Sequence, residues 1–362
     1  LLVSTVCAVI APLLILRIWR HNDGAERQFR TGREATRLAA MKICLYGAGS
    51  IGGIIGAHLA RVKGVEVSLI ARGAHLDAIR RNGLRLISPH EDFTVKVNAT
   101  DDPAQLGPQD VVFITLKTHQ YLSVLDKVVP LLGPQTALIP PTTGAPYWFF
   151  HKLPGPFEGS RLKRMDPGGK QWSTFGPERA LGCAYWAGGV VPEPGVAHLE
   201  NEVCYLPLGE PDGSSSPRVT GLSAAMNEAG LKAPVKADIR AEIWTKMINS
   251  LTWNPIAVLT LADNGGIGRS AGAVEIARRM MTEAETVAAK FGATMATPME
   301  KRIEFTVGLG DHKMSMLTDL QAGKPLEVDA LADSIADLSE LAGVETPTIG
   351  MMLALLKLRA AA

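Results

Sequence analysis

MKICLYGAGSIGGIIGAHL, from Met41 to Leu59, joins a short apolar run to a glycine cluster and then to an apolar helical pattern. The run Ile43 to Tyr46 reads as a buried strand. Gly47-Ala48-Gly49-Ser50-Ile51-Gly52 follows it as GxGxxG. In such a turn Gly47 permits the bend, Gly49 lets the backbone approach a pyrophosphate, and Gly52 lets the helix pack closely on the strand. The helix N-terminus then faces the anion. Alone the motif is weak; a strand before it and a helix after it supply the context it needs.

Moving outward, Val65 to Ile70 reads as a second strand, ending at Ala71-Arg72-Gly73. Folds that bind NAD place an acidic residue at this strand end, on the ribose 2′-hydroxyl. Arg72 stands here without a neighbouring Asp or Glu, which suits a 2′-phosphate and favours NADP(H). An ordinary surface arginine is the competing reading. Asp110 to Leu116 is a further buried parallel strand, with Lys117 at the end that faces the ligand crevice of a doubly wound sheet. Thr136 to Pro140 is another candidate, followed by Thr142-Thr143-Gly144. Ala180 to Ala187, Gly195 to Glu200 and Val203 to Leu208 read as strands that complete the same domain in mixed or antiparallel fashion. The polar, glycine-rich stretch from Pro154 to Pro177 reads as an exposed loop.

The pattern changes at Ala237. Ala237 to Asn254, Ala271 to Phe291, Met299 to Leu309, Lys313 to Ala322 and Leu326 to Leu341 carry helical patterns with Gly or Pro between most of them. The expected architecture is an α/β Rossmann-type doubly wound sheet over 41–236, followed by an all-helical domain over 237–362.

Bulk properties set the outer limits. The chain has 362 residues, room for two sizeable cores. Its formal net charge is +1, which gives no sign of a nucleic-acid partner. The four cysteines, Cys7, Cys44, Cys183 and Cys204, have no metal-ligand spacing and read as incidental thiols in a reducing compartment. Leu1 to Leu16 is apolar and uncharged, with Arg17 and Arg20 after it. That run is shorter than the ~18 residues expected of a membrane span, and a signal peptide carries its positive charges before the apolar run. Residues 1–40 are therefore read as an extension, a weak membrane anchor being the alternative. A chain started at Met41 is expected to keep its thermal midpoint and activity. Loss of either, or membrane fractionation that depends on Leu1 to Trp19, would show the extension to be an anchor.

Two segments carry candidate chemistry. In IRAEIWTKMINSLTWNP, from Ile239 to Pro255, Lys246, Ser250 and Asn254 fall at i, i+4 and i+8, on one helix face. Ile243, Met247, Ile248 and Leu251 around them are apolar, which suggests a polar strip in a cleft. A lysine in such a place has a lowered pKa and serves as a proton donor; a snorkelling surface lysine is the plainer alternative. Farther on, Ser315 and Asp319 share a helix face, and Glu327 starts the next helix. A glutamate there complements the helix dipole and reads equally well as a simple cap.

Together these segments resemble the ketopantoate reductase (2-dehydropantoate 2-reductase) family. The resemblance runs from Met41 to about Met352 and rests on the order and spacing of GAGSIGG, Thr115 to Gln120, the Ile239 to Pro255 segment, and the block from Ser315 to Asp329. It implies a cytoplasmic enzyme that reduces ketopantoate to pantoate with NADPH, on the route to pantothenate and coenzyme A. It implies Lys246 as proton donor and Asn254, Asn264 and Ser315 as substrate ligands. Ser250 stands in the substrate strip. Gly47, Ala48, Gly49, Ser50, Ile51, Gly52, Arg72, Lys117, Thr143 and Glu327 would line the NADP(H) site, with Glu327 closing it near the substrate. No metal is implied. The oligomeric state is left open, a homodimer being one option.

Two positions depart from the family pattern. Thr143 stands before Gly144 where the family usually has Asn, and Ser250 stands four residues after the lysine, again in place of Asn. Both shorten a polar group in the expected substrate site, so they bear on substrate identity more than on reaction type. The rival readings are a related reductase of another 2-oxo acid and a non-catalytic NADP(H) sensor. Keeping Lys246, Asn254, Ser315 and Glu327 together argues against the sensor, which needs only the nucleotide half.

Overall fold

The computed structural model describes residues 41–361; the N-terminal extension and Cys7 lie outside them. The first part runs β1 (Met41–Tyr46), α1 (Ser50–Leu59), β2 (Val65–Ile70), α2 (Gly73–Asn82), β3 (Leu84–Ile87), β4 (Asp92–Val95), β5 (Asn98–Thr100), β6 (Gln109–Ile114) and β7 (Leu132–Ile139). Five of these strands form one sheet in the order β5-β2-β1-β6-β7. Every pairing in it is parallel. Ile43 sits between Val67 and Val111, and Leu45 between Leu69 and Phe113. Ile43, Leu45 and Phe113 are fully buried, as expected of strands covered on both faces, and each such side chain stabilises the fold by about 1.5–3 kcal/mol. The order reverses direction at β1/β6, so the ends of β1, β6 and β7 open on the crevice where such sheets take ligands.

The middle of the chain pairs in mixed and antiparallel fashion, as expected, but in shorter strands than the sequence suggests. Strands β8 (Gly182–Cys183), β9 (Gly189–Val190), β10 (Val196–Leu199) and β11 (Leu208–Gly209) do not extend the main sheet. β10 joins β3, β4 and β9 in a second sheet, while β8 pairs only with β11. Prolines and glycines cut these segments too short for a full ladder. Among the described residues, the main sheet gains from them a single parallel bridge from Leu138 to Ala180.

The stretch 154–177 is an exposed loop only over its first part, to Arg161. Leu162, Met165 and Phe175 are buried, and a short helix spans Lys170–Phe175. Glu158, Arg161, Lys163 and Lys170 are exposed, while Asp166 is a buried carboxylate that accepts from the Gln171 and Trp172 amides at 2.7 and 3.1 Å. Buried polar groups with partners cost little.

The rest is helical: α3 (Pro217–Glu228), α4 (Ile239–Thr260), α5 (Asn264–Gly268), α6 (Ala271–Lys290), α7 (Met299–Val307), α8 (Ser315–Gln321), α9 (Val328–Ala342) and α10 (Pro347–Ala361). No strand lies beyond α3 among the described residues. α3 and α10 were not read from the sequence. α4 is the central helix, packed against α6, α8 and α10, with Trp244, Met247, Leu251 and Trp253 fully buried. Asp238 caps its start, accepting from the Ala241 amide at 3.0 Å. The helix passes through Pro255 to Thr260, six residues beyond the expected end. Burial of Ile256, Ala257 and Val258 on its far side compensates for the backbone bond that proline removes. None of the described helices is long and apolar enough to cross a membrane.

Candidate active site

The glycine turn has the geometry its sequence requires. Gly47 has φ +115°, in the region that favours glycine. A Cβ on Gly52 would lie 1.9 Å from the Gly47 carbonyl oxygen, so α1 approaches β1 as closely as only glycine allows. A Cβ on Gly49 would meet nothing within 4 Å, so the backbone there is open to a ligand. The first bond of α1 runs from the Gly53 amide to the Gly49 carbonyl at 2.7 Å, and no side chain caps this helix end. The amides from Gly49 through Ser50 and Ile51 to Gly52 are thus the unsatisfied donors of a helix N-terminus, an anion cradle. Arg72 lies exposed at the end of β2, one residue before α2. Among the described residues its guanidinium has no ion-pair partner.

Lys117, just beyond β6, is already engaged: its Nζ donates to Asp319 Oδ2 on α8 at 2.6 Å and to the Pro325 carbonyl at 3.4 Å. Glu327 performs a similar joining role at the start of α9. One oxygen, Oε1, accepts from the Thr118 amide at 3.0 Å and from the Thr143 hydroxyl at 3.3 Å. About two turns further on, α9 is pinned as well. Ser334 Oγ accepts from the Ala145 amide at 2.9 Å, and a Cβ on Gly144 would come within 2.1 Å of that hydroxyl oxygen. Asp337, one turn later, accepts from the Arg164 amide at 2.8 Å, the Met165 amide at 3.2 Å and the Arg164 guanidinium at 2.7 Å.

Lys246, Ser250 and Asn254 do lie on the single helix α4. Lys246 is half-buried. Burial lowers its pKa from the usual lysine value, and the Glu327 carboxylate acts in the opposite sense. Its Nζ sits 5.0 Å from the centroid of the Trp186 ring, a cation–π contact, and has no hydrogen-bond partner among the described residues. Trp186 was not read from the sequence, because it arrives from the β8–β9 connection and nothing local marks it.

Asn254 is buried and committed: Nδ2 donates to the Ser250 carbonyl at 3.1 Å, and Oδ1 accepts from the Met316 amide at 3.0 Å. It therefore fastens α8 to α4. Ser250 is buried, while Ser315, the first residue of α8, is exposed. Asn264 is fully buried, and neither its side-chain nitrogen nor its oxygen has a partner among the described residues. An orphaned buried amide group costs about 1–3 kcal/mol, and the side chains of Thr252 and Trp253 also have buried polar atoms without a partner among the described residues. No group of three or more metal-ligating side chains occurs among the described residues. Cys44, Cys183 and Cys204 are buried free thiols.

A parallel sheet with an open glycine turn, facing a helical half that presents a half-buried lysine, fits an oxidoreductase of the Rossmann type. Family models sharpen that class: "Ketopantoate reductase PanE/ApbA" matches residues 43–143, and its C-terminal counterpart matches 238–360. A 2-dehydropantoate 2-reductase from Mesorhizobium japonicum is 42% identical over 88% of this chain and 97% of its own length. A solved structure of a candidate ketopantoate reductase from Ralstonia solanacearum MolK2 is 37% identical, covers 89% of this chain and 98% of its own, and superposes with a TM-score of 0.82. A ternary structure of D-mandelate dehydrogenase with NADH and anilino(oxo)acetate shares the fold, with a TM-score of 0.73 at 19% identity over 89% of this chain and 99% of its own. The chain belongs to the ketopantoate reductase family.

Proposed function

We propose that this protein is a cytoplasmic NADPH-dependent reductase of a 2-oxo acid, with 2-dehydropantoate as substrate and pantoate as product, on the route to pantothenate and coenzyme A. The observation that carries the reading is Lys246: a half-buried ammonium over the Trp186 ring, free of hydrogen-bond partners among the described residues, whose opposing charge is Glu327, itself fixed to the loops after β6 and β7. Residues 41–236 would bind the nucleotide and 237–362 the acid. The open glycine turn, its free amides and Arg72 fit a dinucleotide with a 2′-phosphate.

When bound, NADPH supplies a hydride to the substrate carbonyl carbon. Lys246 donates a hydrogen bond to the carbonyl oxygen and then gives it a proton. Charge developing on that oxygen is stabilised where it appears. Asn264 and Ser315 orient the acid, with Ser250 beside them, and Asn254 holds α8 so that Ser315 stays in place. Single-turnover oxidation of bound NADPH against a panel of 2-oxo acids tests the reading. No turnover with any of them would leave a nucleotide-binding protein without this chemistry.

The Thr143 hydroxyl donates to Glu327, so its single donor is occupied. An Asn would offer a longer reach with both a donor and an acceptor. Losing one such bond to the substrate hydroxyl costs about 1–3 kcal/mol. The expected result is that Thr143→Asn raises kcat/KM for 2-dehydropantoate relative to a 2-oxo acid that lacks the hydroxyl. An unchanged ratio, together with strong preference for 2-dehydropantoate in the unmutated enzyme, would make Thr143 a neutral replacement.

A further inference from the structure

We infer that His75 is a positioning residue that sets the orientation of the glycine turn for its nucleotide, an inference that rests on the cofactor reading above. The imidazole of His75, in the first turn of α2, is half-buried between two backbone groups. The Gly195 amide donates to Nδ1 at 3.0 Å, and Nε2 lies 2.7 Å from the Ala48 carbonyl oxygen. An amide only donates and a carbonyl only accepts, so the ring is the neutral tautomer with its proton on Nε2. The series continues on both sides. The Gly195 carbonyl accepts from the Arg85 amide at 2.9 Å, and the Ala48 amide donates to the Ile70 carbonyl at 3.0 Å. One imidazole therefore ties β3 and the approach to β10 to the GxGxxG turn.

The Ala48 carbonyl belongs to the same planar trans peptide as the Gly49 amide, so the two groups point in opposite directions. Holding that oxygen on His75 turns the Gly49 N–H away from the ring, leaving it among the unsatisfied donors at the start of α1. Gly49 has no Cβ to restrict its backbone, so the peptide orientation has to be enforced from outside. His75 enforces it through Nε2, and Gly195 aims the ring through Nδ1.

Asn and Gln separate the two bonds. His75→Gln places an amide nitrogen near the Nε2 position and can still donate to Ala48. His75→Asn places an acceptor near the Nδ1 position and cannot reach Ala48. NADPH titration by fluorescence is expected to show His75→Asn weakened about five- to tenfold, the scale of one backbone hydrogen bond, with His75→Gln within about threefold of the unmutated protein. In steady state the loss lies in KM for NADPH and not in kcat. Equal weakening in both variants, or none in either, overturns the inference. Imidazole ¹⁵N resonances of the unmutated protein give an independent reading, since a proton on Nδ1 would also overturn it. Absence of NADPH binding by the unmutated protein overturns the nucleotide reading and this inference with it, and the imidazole signal distinguishes that failure from a wrong hydrogen-bond assignment.

Discussion

Lys246→Ala is expected to lower turnover by about a hundredfold or more, the usual scale for a general acid, while NADPH binding stays nearly intact. The separation follows from position. Lys246 is on α4, facing Glu327 and Trp186, whereas the anion cradle is built from backbone at the start of α1. Removing the amine leaves the glycine turn and Arg72 untouched. A pH profile carries the same expectation. Lys246 must be protonated to donate, so activity falls as pH rises through its pKa. Burial lowers that pKa from the usual lysine value, so the basic limb comes earlier than an exposed lysine would give. Glu327→Gln removes the charge that opposes this shift and should move the limb to still lower pH. Near-normal turnover in Lys246→Ala would make it a structural lysine and remove the proposed mechanism.

Arg72 governs the second large effect. The unmutated protein is expected to bind NADPH roughly ten- to a hundredfold more tightly than NADH, since a charge-assisted contact to the 2′-phosphate contributes about 1.5–3 kcal/mol. Arg72→Ala should erase most of that preference and leave NADH affinity close to its starting value. Because Arg72 has no competing ion pair among the described residues, the effect is not diluted by rearrangement of a partner. Salt should reduce the preference, as Arg72 is exposed. Equal affinities for the two nucleotides in the unmutated protein would remove the NADP(H) assignment.

What the sequence revealed was mostly local. Gly47 and Gly52 impose backbone geometry on their neighbours, so the turn could be read from a few residues. Lys246, Ser250 and Asn254 follow from helical spacing along one element. Contacts made by distant segments were not legible. Trp186 meets Lys246 through an irregular connection, Asp319 meets Lys117 across the two halves, and Asn254 spends its amide on the backbone of α8. The stretch 154–177 misled beyond Arg161 for a different reason. Composition reports how polar a segment is, not whether a carboxylate such as Asp166 finds two amides inside the fold. Pro255 misled as well, because tertiary packing outweighed a local breaker.

The successive attachments of α9 have a consequence for how the molecule comes apart. Glu327, at the start of α9, and Ser334 and Asp337 within it bind the loops after β6 and β7 and the segment at Arg164 along about three turns of one helix. Neither half can lose its structure without stripping partners from buried groups of the other, and the described residues form one compact unit. Cooperativity should therefore extend across the whole body: calorimetry is expected to show a single transition with equal calorimetric and van't Hoff enthalpies, rather than one melt for the sheet and another for the helices. Asp337→Ala, remote from Lys246, should lower that one transition without splitting it, and two resolved melts would show that the attachments are too weak to couple the halves.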